Sequence, residues 1–296
     1  MSEIKYMIFL GCVIPYRVSS FEVSARRVLR NLNVNLVEMP EFNCCGLPLE
    51  PISHELTLIL SARNISVAER EGLNIMALCP GCAGTLKKVN RVLREDKGLR
   101  EEVNKHLRES NLEFRGTIDV KHLSQVLIED VGLDRIKKAV IKPLKGLKVA
   151  EHSGCHLSRP RKYIGFEDPE NPMALRRLIE VTGAKCVEYM GETECCGATV
   201  AGIDDKISLS LVREKISNIM EAGAEALITI CPSCHLMYDA NQIRAERMFN
   251  EKYGIPVLHY TQLLGLAMGI PPDELGFDEL RVSPEKILGK VGGGSP

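Results

Sequence analysis

Ten of the eleven cysteines form one pattern that the chain contains twice. In each copy a lone cysteine is followed first by an adjacent Cys-Cys-Gly and then by a Cys-x-x-Cys. The ligand candidates are Cys12, Cys44, Cys45, Cys79 and Cys82 in the first copy, and Cys155, Cys195, Cys196, Cys231 and Cys234 in the second. The gap from the pair to the Cys-x-x-Cys is 33 residues in one copy and 34 in the other. Thiolates at such recurring spacing are typical metal ligands, so the sequence predicts two metal centres.

The number of thiols in each set bears on which metal they hold. A structural zinc site needs four ligands, commonly two Cys-x-x-Cys pairs, and each copy has only one such pair. Adjacent cysteines chelate a single ion poorly because their side chains diverge, but they suit two metals close together. A fifth thiol therefore favours an iron–sulfur cluster of unusual shape, which Gly46 and Gly197 are expected to let the backbone approach closely. Zinc in one or both units and redox-active dithiols remain alternatives.

Composition restricts the classes of function. The chain has 296 residues, 45% of them hydrophobic, and a net charge of −1, which gives no reason to expect nucleic acid as a partner. No apolar stretch is long enough for a membrane span or a signal peptide. We expect a cytoplasmic protein, in which many thiols indicate metal or redox chemistry rather than structural disulfides.

Each copy of the pattern is predicted to alternate strands and helices. The predicted strands are 6–10, 34–37 and 74–78 in the first half, and 147–150, 186–189 and 226–230 in the second. The sequence thus predicts an α/β fold of two pseudo-two-fold-related Rossmann-like units with parallel-rich sheets, residues 1–145 and 146–296. Every cysteine motif follows a strand, and ligands of such sheets bind at the carboxyl ends of the strands. We therefore expect the thiols of each unit to converge there.

Helices are predicted between these strands, among them 55–71 and 206–221. Ser19 and Glu22 have the spacing of a capping box at the start of the first helix. In the second unit Asn171 and Pro172 have the residue types of an N-cap and a first helical residue.

Three further features are predicted to have no part in the chemistry of the site. Cys186 has no counterpart in the first half and is expected to pack in the core. His122 and His259 each precede a residue, Ser124 or Thr261, that can cap a helix. The glycine-rich end, 289–296, is predicted to be mobile.

The doubled C…CCG…C-x-x-C array resembles the CCG-domain family, and the length and two-unit layout are similar to the heterodisulfide reductase B subunits of that family. The resemblance extends from Cys12 to about Leu264. It implies a catalytic subunit that reduces the heterodisulfide of coenzyme M and coenzyme B in methanogenesis. It also implies that each five-cysteine set holds one non-cubane [4Fe-4S] cluster. Two clusters suit the cleavage of a disulfide, because one cluster usually passes one electron at a time.

Electrons must reach such clusters from outside the chain. The sequence contains neither a ferredoxin-type cysteine run nor a glycine-rich dinucleotide motif after a strand. The resemblance implies two further heterodisulfide reductase subunits as partners, one carrying iron–sulfur clusters and one carrying flavin, with a hydrogenase or formate dehydrogenase beyond them. Two alternatives remain open: an electron-relay subunit of a quinone-linked dehydrogenase or fumarate reductase, and a zinc-stabilised scaffold without redox activity.

Protons and substrate anions require further side chains. His152, His156 and His235 flank cysteines of the second set and are candidate proton donors. Basic side chains that follow the lone cysteines could bind the sulfonate, phosphate and carboxylates of the implied substrate. These candidates are Arg17, Arg159, Arg161 and Lys162. For each of these residues a structural or solvated role is the competing interpretation.

Overall fold

Two four-stranded sheets form the framework of the protein over residues 3–292, the part that this computed structural model describes. The strands are β1 Ile4–Phe9, β2 Val34–Val37, β3 Ile75–Ala77, β4 Val120–His122, β5 Lys148–His152, β6 Lys185–Cys186, β7 Ala226–Thr229 and β8 Val257–His259. The helices are α1 Ile14–Arg17, α2 Ser19–Asn31, α3 His54–Arg70, α4 Pro80–Glu95, α5 Lys97–Arg108, α6 Leu123–Gln125, α7 Leu133–Ala139, α8 Arg161–Ile164, α9 Ala174–Val181, α10 Asp205–Glu221, α11 Pro232–Phe249, α12 Tyr260–Ala267 and α13 Glu285–Gly292. A π-helical segment, Val126–Val131, follows α6.

The two sheets have the same topology. Their strand orders are β2-β1-β3-β4 and β6-β5-β7-β8, and every pair of neighbouring strands is parallel. In the first sheet Met7 pairs with Val37 on one side and with Ile75 on the other. The predicted α/β class, with two related units and parallel sheets, is confirmed.

Alternating side chains give each sheet two buried faces. On β1, Met7 and Phe9 pack on the outer side against α3 and α4, whereas Ile8 points to the inner side. On β5, Ala150 faces α10 and α11, and Val149 points inward. The inner faces of both sheets belong to one continuous core, so the two units are joined by apolar packing.

Helices of one unit complete the core of the other. Helix α2 packs against α12, and the hydroxyls of Ser24 and Thr261 lie 2.6 Å apart at this junction. Helix α9 packs in the same way against α6. The predicted boundary between residues 145 and 146 falls in the turn before β5, and the division of the chain into two units at this point stays a prediction.

The N-caps predicted for α2 and α9 are wrong. Ser19 is the first residue of α2, preceded by Val18 as N-cap, and both the Ser19 hydroxyl and the Ser20 backbone amide donate to the Glu279 carboxylate, the amide at 2.9 Å. Helix α9 begins at Ala174, whose backbone amide donates to the distant Glu167 carboxylate at 2.8 Å. In each case a carboxylate remote from the predicted cap satisfies the helix terminus, which a local motif does not reveal.

Other predicted elements differ in length. Strand β6 has two residues rather than four, because the chain leaves the sheet after Cys186, which packs in the shared core as predicted. Helix α13 includes Gly289–Gly292 of the predicted mobile end, and 293–296 lie outside the described residues. Within residues 3–292, no helix is both long and apolar enough to cross a membrane.

Candidate metal centres

The cysteine motifs meet at the carboxyl edges of the sheets. Cys12 and Cys79 follow the adjacent strands β1 and β3, and Cys155 and Cys231 follow the adjacent strands β5 and β7. Since the strand order reverses between these neighbours, each crevice is the usual ligand site of an open parallel sheet. Cys79 and Cys231 are also the N-caps of α4 and α11, where the positive end of the helix dipole stabilises a thiolate.

The structure brings the first set of thiols together. Hydrogen bonds from Cys44 and Cys82 lower the pKa of the buried Cys45 to about 3. Cys82 in turn contacts Cys79, and Cys12 lies close enough to Cys44 for their charges to interact. The five cysteines of the first copy are therefore linked by a chain of pairwise interactions.

The second set is arranged in the same way. Cys196 contacts Cys195 and Cys234, and these hydrogen bonds hold its pKa far below the usual range of a thiol. Cys231 contacts Cys234, and Cys155 lies near Cys195. The predicted convergence of thiols thus appears in both units.

One contact links the two sets. A hydrogen bond with Cys231 of the second unit, and another with Cys82, hold the pKa of Cys79 well below its usual range. The two groups of five therefore adjoin at the junction of the units, and a ligand placed there would be within reach of both.

Glycines next to the cysteines fit a tightly packed centre. A Cβ on Gly11, at φ +69°, would lie 2.7 Å from the Cys82 Sγ. Gly46, at φ +92°, was predicted to let the backbone approach a cluster. The structure gives another reason for a glycine here: a Cβ at this position would lie 3.0 Å from the Thr57 Cα on α3. The Thr57 hydroxyl also donates to the Gly46 carbonyl at 3.1 Å, and Ser208 donates to Gly197 at the same distance.

The second site has polar neighbours that the sequence patterns did not single out. Lys215 donates to the carbonyls of Glu192 and Glu194 at 3.2 and 3.3 Å, just before the second Cys-Cys-Gly, and burial lowers its pKa to about 8. The Arg176 Nε lies 3.2 Å from a carboxylate oxygen of Glu151. Burial, reinforced by Glu192, nevertheless raises the pKa of Glu151 to about 9. Comparing the two halves position by position would have singled out Lys215, because the first half has the neutral Asn64 at the matching position.

The three candidate histidines have different surroundings. A ring nitrogen of His152 lies within 4.8 Å of the Sγ atoms of Cys196 and Cys234, which are themselves within that distance of each other. His156 Nδ1 is 3.4 Å from the Cys155 Sγ, a contact that raises the pKa of this histidine. The ring of His235 packs against Phe21 at 5.1 Å, in the junction between the units.

Of the basic candidates, Arg159 lines a cleft of the second site. His152 and Cys155 also line this small cleft, and the Arg159 Nη2 donates to the Pro169 carbonyl at 2.9 Å. Arg161 lies 4.0 Å from Asp168, and Lys162 lies over the Tyr163 ring at 5.3 Å. Arg17 is exposed at the end of α1.

A cleft also opens at the first site. Its volume is about 350 Å³, and Cys12, Cys44, Phe42 and the exposed Tyr16 are among its lining residues. A larger cleft of about 780 Å³ contains no cysteine and is lined by residues such as Arg26, Arg30 and Arg135. Of these two clefts, the smaller one therefore gives access to thiols of the first set.

His122 has the structural role that was predicted, although the cap is the histidine itself. Its Nδ1 accepts the amide of Ser124 at 3.1 Å, so the ring is protonated at Nε2 and donates to the Leu78 carbonyl at 3.3 Å. Burial lowers the pKa of His122 to about 3.

We expect His122 to make folding sensitive to acid. Below the unfolded-state pKa of about 6.5 the unfolded chain binds a proton that the folded chain does not. The free energy of unfolding should therefore fall as the pH decreases from about 6.5 towards 3, by up to about 1.4 kcal/mol per pH unit from this group. Urea unfolding at pH 7 and pH 5 would measure the change. The slope should be smaller in His122→Gln than in the wild-type protein, and equal slopes in the two proteins would contradict the prediction.

Known proteins share both the motif and the length of this chain. A family model for the CCG cysteine-rich domain matches residues 6–87 and 149–239. The B subunit of the ferredoxin:CoB-CoM heterodisulfide reductase of Methanosarcina mazei is 37% identical over 292 residues, covering 97% of each chain. The 8-methylmenaquinol:fumarate reductase membrane anchor subunit of Wolinella succinogenes is 31% identical, covering 96% of this chain and 99% of that protein.

The fold also occurs in a solved structure. The crystal structure of a hypothetical protein from Helicobacter pylori superposes with a TM-score of 0.76 at 16% sequence identity. The match covers 96% of this chain and 53% of that one, so this chain spans about half of the larger protein. At this level of identity the likeness concerns the fold.

Proposed function

The chain belongs to the CCG cysteine-rich-domain family, and we propose that it is the catalytic subunit of a heterodisulfide reductase. In the proposed reaction the coenzyme M–coenzyme B heterodisulfide takes up two electrons and two protons, its S–S bond breaks, and two thiols form. The contact between Cys79 and Cys231 carries the proposal, because the two thiol sets adjoin there and a single substrate could reach both. The Methanosarcina mazei B subunit is 37% identical to this chain over 97% of its length, and this similarity supports the same substrate.

The donor atoms fit iron–sulfur clusters. Each set offers five soft thiol ligands, buried or partly buried except for Cys12 and Cys195, and thiolate is the ligand that iron–sulfur clusters prefer. A cubane requires four thiolates, so we propose a non-cubane [4Fe-4S] cluster in each unit. When bound, these clusters would supply electrons one at a time. The chain's own contribution is to hold the two sets of ligands against each other.

Other side chains of this site have narrower proposed roles. His156 and His152 are the candidate proton donors closest to thiols of the second set, and His235 is the third. Arg159 is the basic side chain best placed to bind a substrate anion, since it lines the cleft beside Cys155. The proposed partners are the iron–sulfur subunit and the flavin subunit of a heterodisulfide reductase, together with a hydrogenase or formate dehydrogenase.

A second candidate function is electron relay. It is favoured by the similarity to the Wolinella succinogenes fumarate reductase subunit, which extends over 96% of this chain. In that case the same clusters would pass electrons to or from a partner, and the heterodisulfide would not bind.

Metal analysis and spectroscopy would test the proposal. Protein purified without oxygen is expected to contain about eight iron atoms, a similar amount of acid-labile sulfide and no zinc. Adding the heterodisulfide to the reduced protein should change the electron paramagnetic resonance spectrum as the substrate takes up electrons, and the symmetric disulfide of an unrelated thiol serves as the control.

The possible results separate the candidates. A full complement of iron with no change on adding the heterodisulfide would favour electron relay. Zinc without iron would identify a structural scaffold, and about four iron atoms with one zinc would assign different roles to the two units.

A further inference from the structure

The two thiol sets have different surroundings although their units share a fold. Three residues before the lone cysteine, the first unit has Phe9 and the second has His152. Four residues after the last cysteine of the set, the first unit has Leu86 and the second has Tyr238. At both places an apolar side chain in one unit corresponds to a hydrogen-bond donor in the other.

His152 is a buried side chain beside the second set of thiols. It is 3% exposed, and its Nδ1 has no hydrogen-bond partner among the described residues. Its ring packs edge-on against Tyr238, with the centroids 5.1 Å apart at an angle of 81°. With Cys196 and Cys234 it forms a group whose ligand atoms all lie within 4.8 Å of one another.

Tyr238 is also a donor without a protein acceptor. The side chain is fully buried, and its hydroxyl has no partner in the part of the chain that the structure describes. Burial, followed by the neighbouring thiolates of Cys196 and Cys234, raises its pKa well above the usual range. The hydroxyl therefore keeps its proton, and the side chain lies in the same buried cluster as Cys196 and Cys234.

At a third matching position the second unit again has the more polar side chain. Nineteen residues after each Cys-Cys pair the first unit has Asn64, whose amide donates to the Cys44 carbonyl at 3.1 Å. The second unit has the ammonium group of Lys215 at this place, bonded to the carbonyls that precede Cys195. A neutral support in one unit is thus replaced by a positive charge in the other.

Hydrogen bonds and positive charge near a metal centre stabilise its reduced, more negative form. Building on the proposed function, we infer that the two clusters differ in reduction potential, and that His152 and Tyr238 make the second cluster the one of higher potential. Electrons shared between the two centres would then reside mainly in the second unit. His152 and Tyr238 act through the cluster environment and need not touch the substrate.

Redox titration of the holoprotein, followed by electron paramagnetic resonance, would test this inference. Tyr238→Phe removes one hydroxyl, and His152→Phe introduces the residue type of the first unit. Each change should lower the higher of the two midpoint potentials and leave the lower one unchanged. The matched control is Tyr260→Phe, which removes another fully buried hydroxyl without a partner among the described residues, in a side chain whose pKa is raised by burial alone.

The outcomes can be distinguished from failure of the proposed function. If wild-type protein contains no iron and sulfide, the proposed function is overturned and this inference with it. If both clusters are present and Tyr238→Phe leaves both potentials unchanged, or lowers only the lower one, this inference alone is overturned. Should His152→Phe fail to fold or to retain iron, the comparison of Tyr238→Phe with Tyr260→Phe decides the question.

Discussion

Replacing Cys196 with alanine is expected to remove the metal from the second unit and to abolish reduction of the heterodisulfide. Cys196 contacts Cys195 and Cys234 and lies beside His152, so it is central to the second set of ligands. Iron should fall from about eight to about four atoms per chain. Activity should fall by more than about 100-fold, since losing even an outer-shell partner of a metal commonly costs about 10- to 100-fold.

A matched control lies in the same unit. Cys186→Ala makes the same chemical change at another buried cysteine, which packs in the shared core and belongs to neither ligand set. This variant should retain both metal centres and lose only the roughly 1 kcal/mol typical of a small cavity. Iron, sulfide and steady-state activity would be measured on both proteins. A Cys196→Ala protein that keeps the full iron content would contradict the assignment of ligands.

Gly11→Ala is expected to empty the first centre through one added methyl group. The new Cβ would lie 2.7 Å from the Cys82 Sγ, closer than real Cβ atoms approach a neighbour, so the thiol or the loop must move. The backbone there has φ +69°, which adds about 1–2 kcal/mol of strain for a residue with a side chain. We therefore expect both lower stability and about half the wild-type iron.

Gly72→Ala separates these two effects. Gly72 has nearly the same φ, +67°, but nothing lies within 4 Å of a Cβ at that position. Its thermal midpoint should fall because of the backbone strain, but by less than that of Gly11→Ala, which also carries the close contact with Cys82, while its iron content stays at the wild-type level. Equal iron in both variants would show that the contact with Cys82 is not part of the first centre.

The gathering of the thiols follows from the sequence because each cysteine motif comes directly after a predicted strand. Parallel strands place their carboxyl ends on the same edge, so loops such as those of Cys12 and Cys79 must meet there. Pattern also gave the bounds of α3 and α10 to within one residue. These features depend on local periodicity, which a single chain displays.

Features that depend on distant partners were not predictable in this way. The carboxylates that interact with Ser19 and with the amide of Ala174 belong to Glu279 and Glu167, and no local pattern pairs them. From the sequence, Tyr238 lies on a predicted helix and is expected to be an ordinary core residue. Only the structure shows that Cys196 and Cys234 are its neighbours. Tertiary contacts, rather than residue type, decide the role of such side chains.

The apolar core that the two sheets share makes each half of the chain depend on the other. Ile8 of one half and Val149 of the other belong to the same apolar cluster, so neither half alone covers its inner surface. A separated half would expose that surface to water and be prone to aggregate. The side chains around the cysteines can therefore differ between the two copies, as Phe9 and His152 do, whereas the surfaces that join the copies must stay complementary.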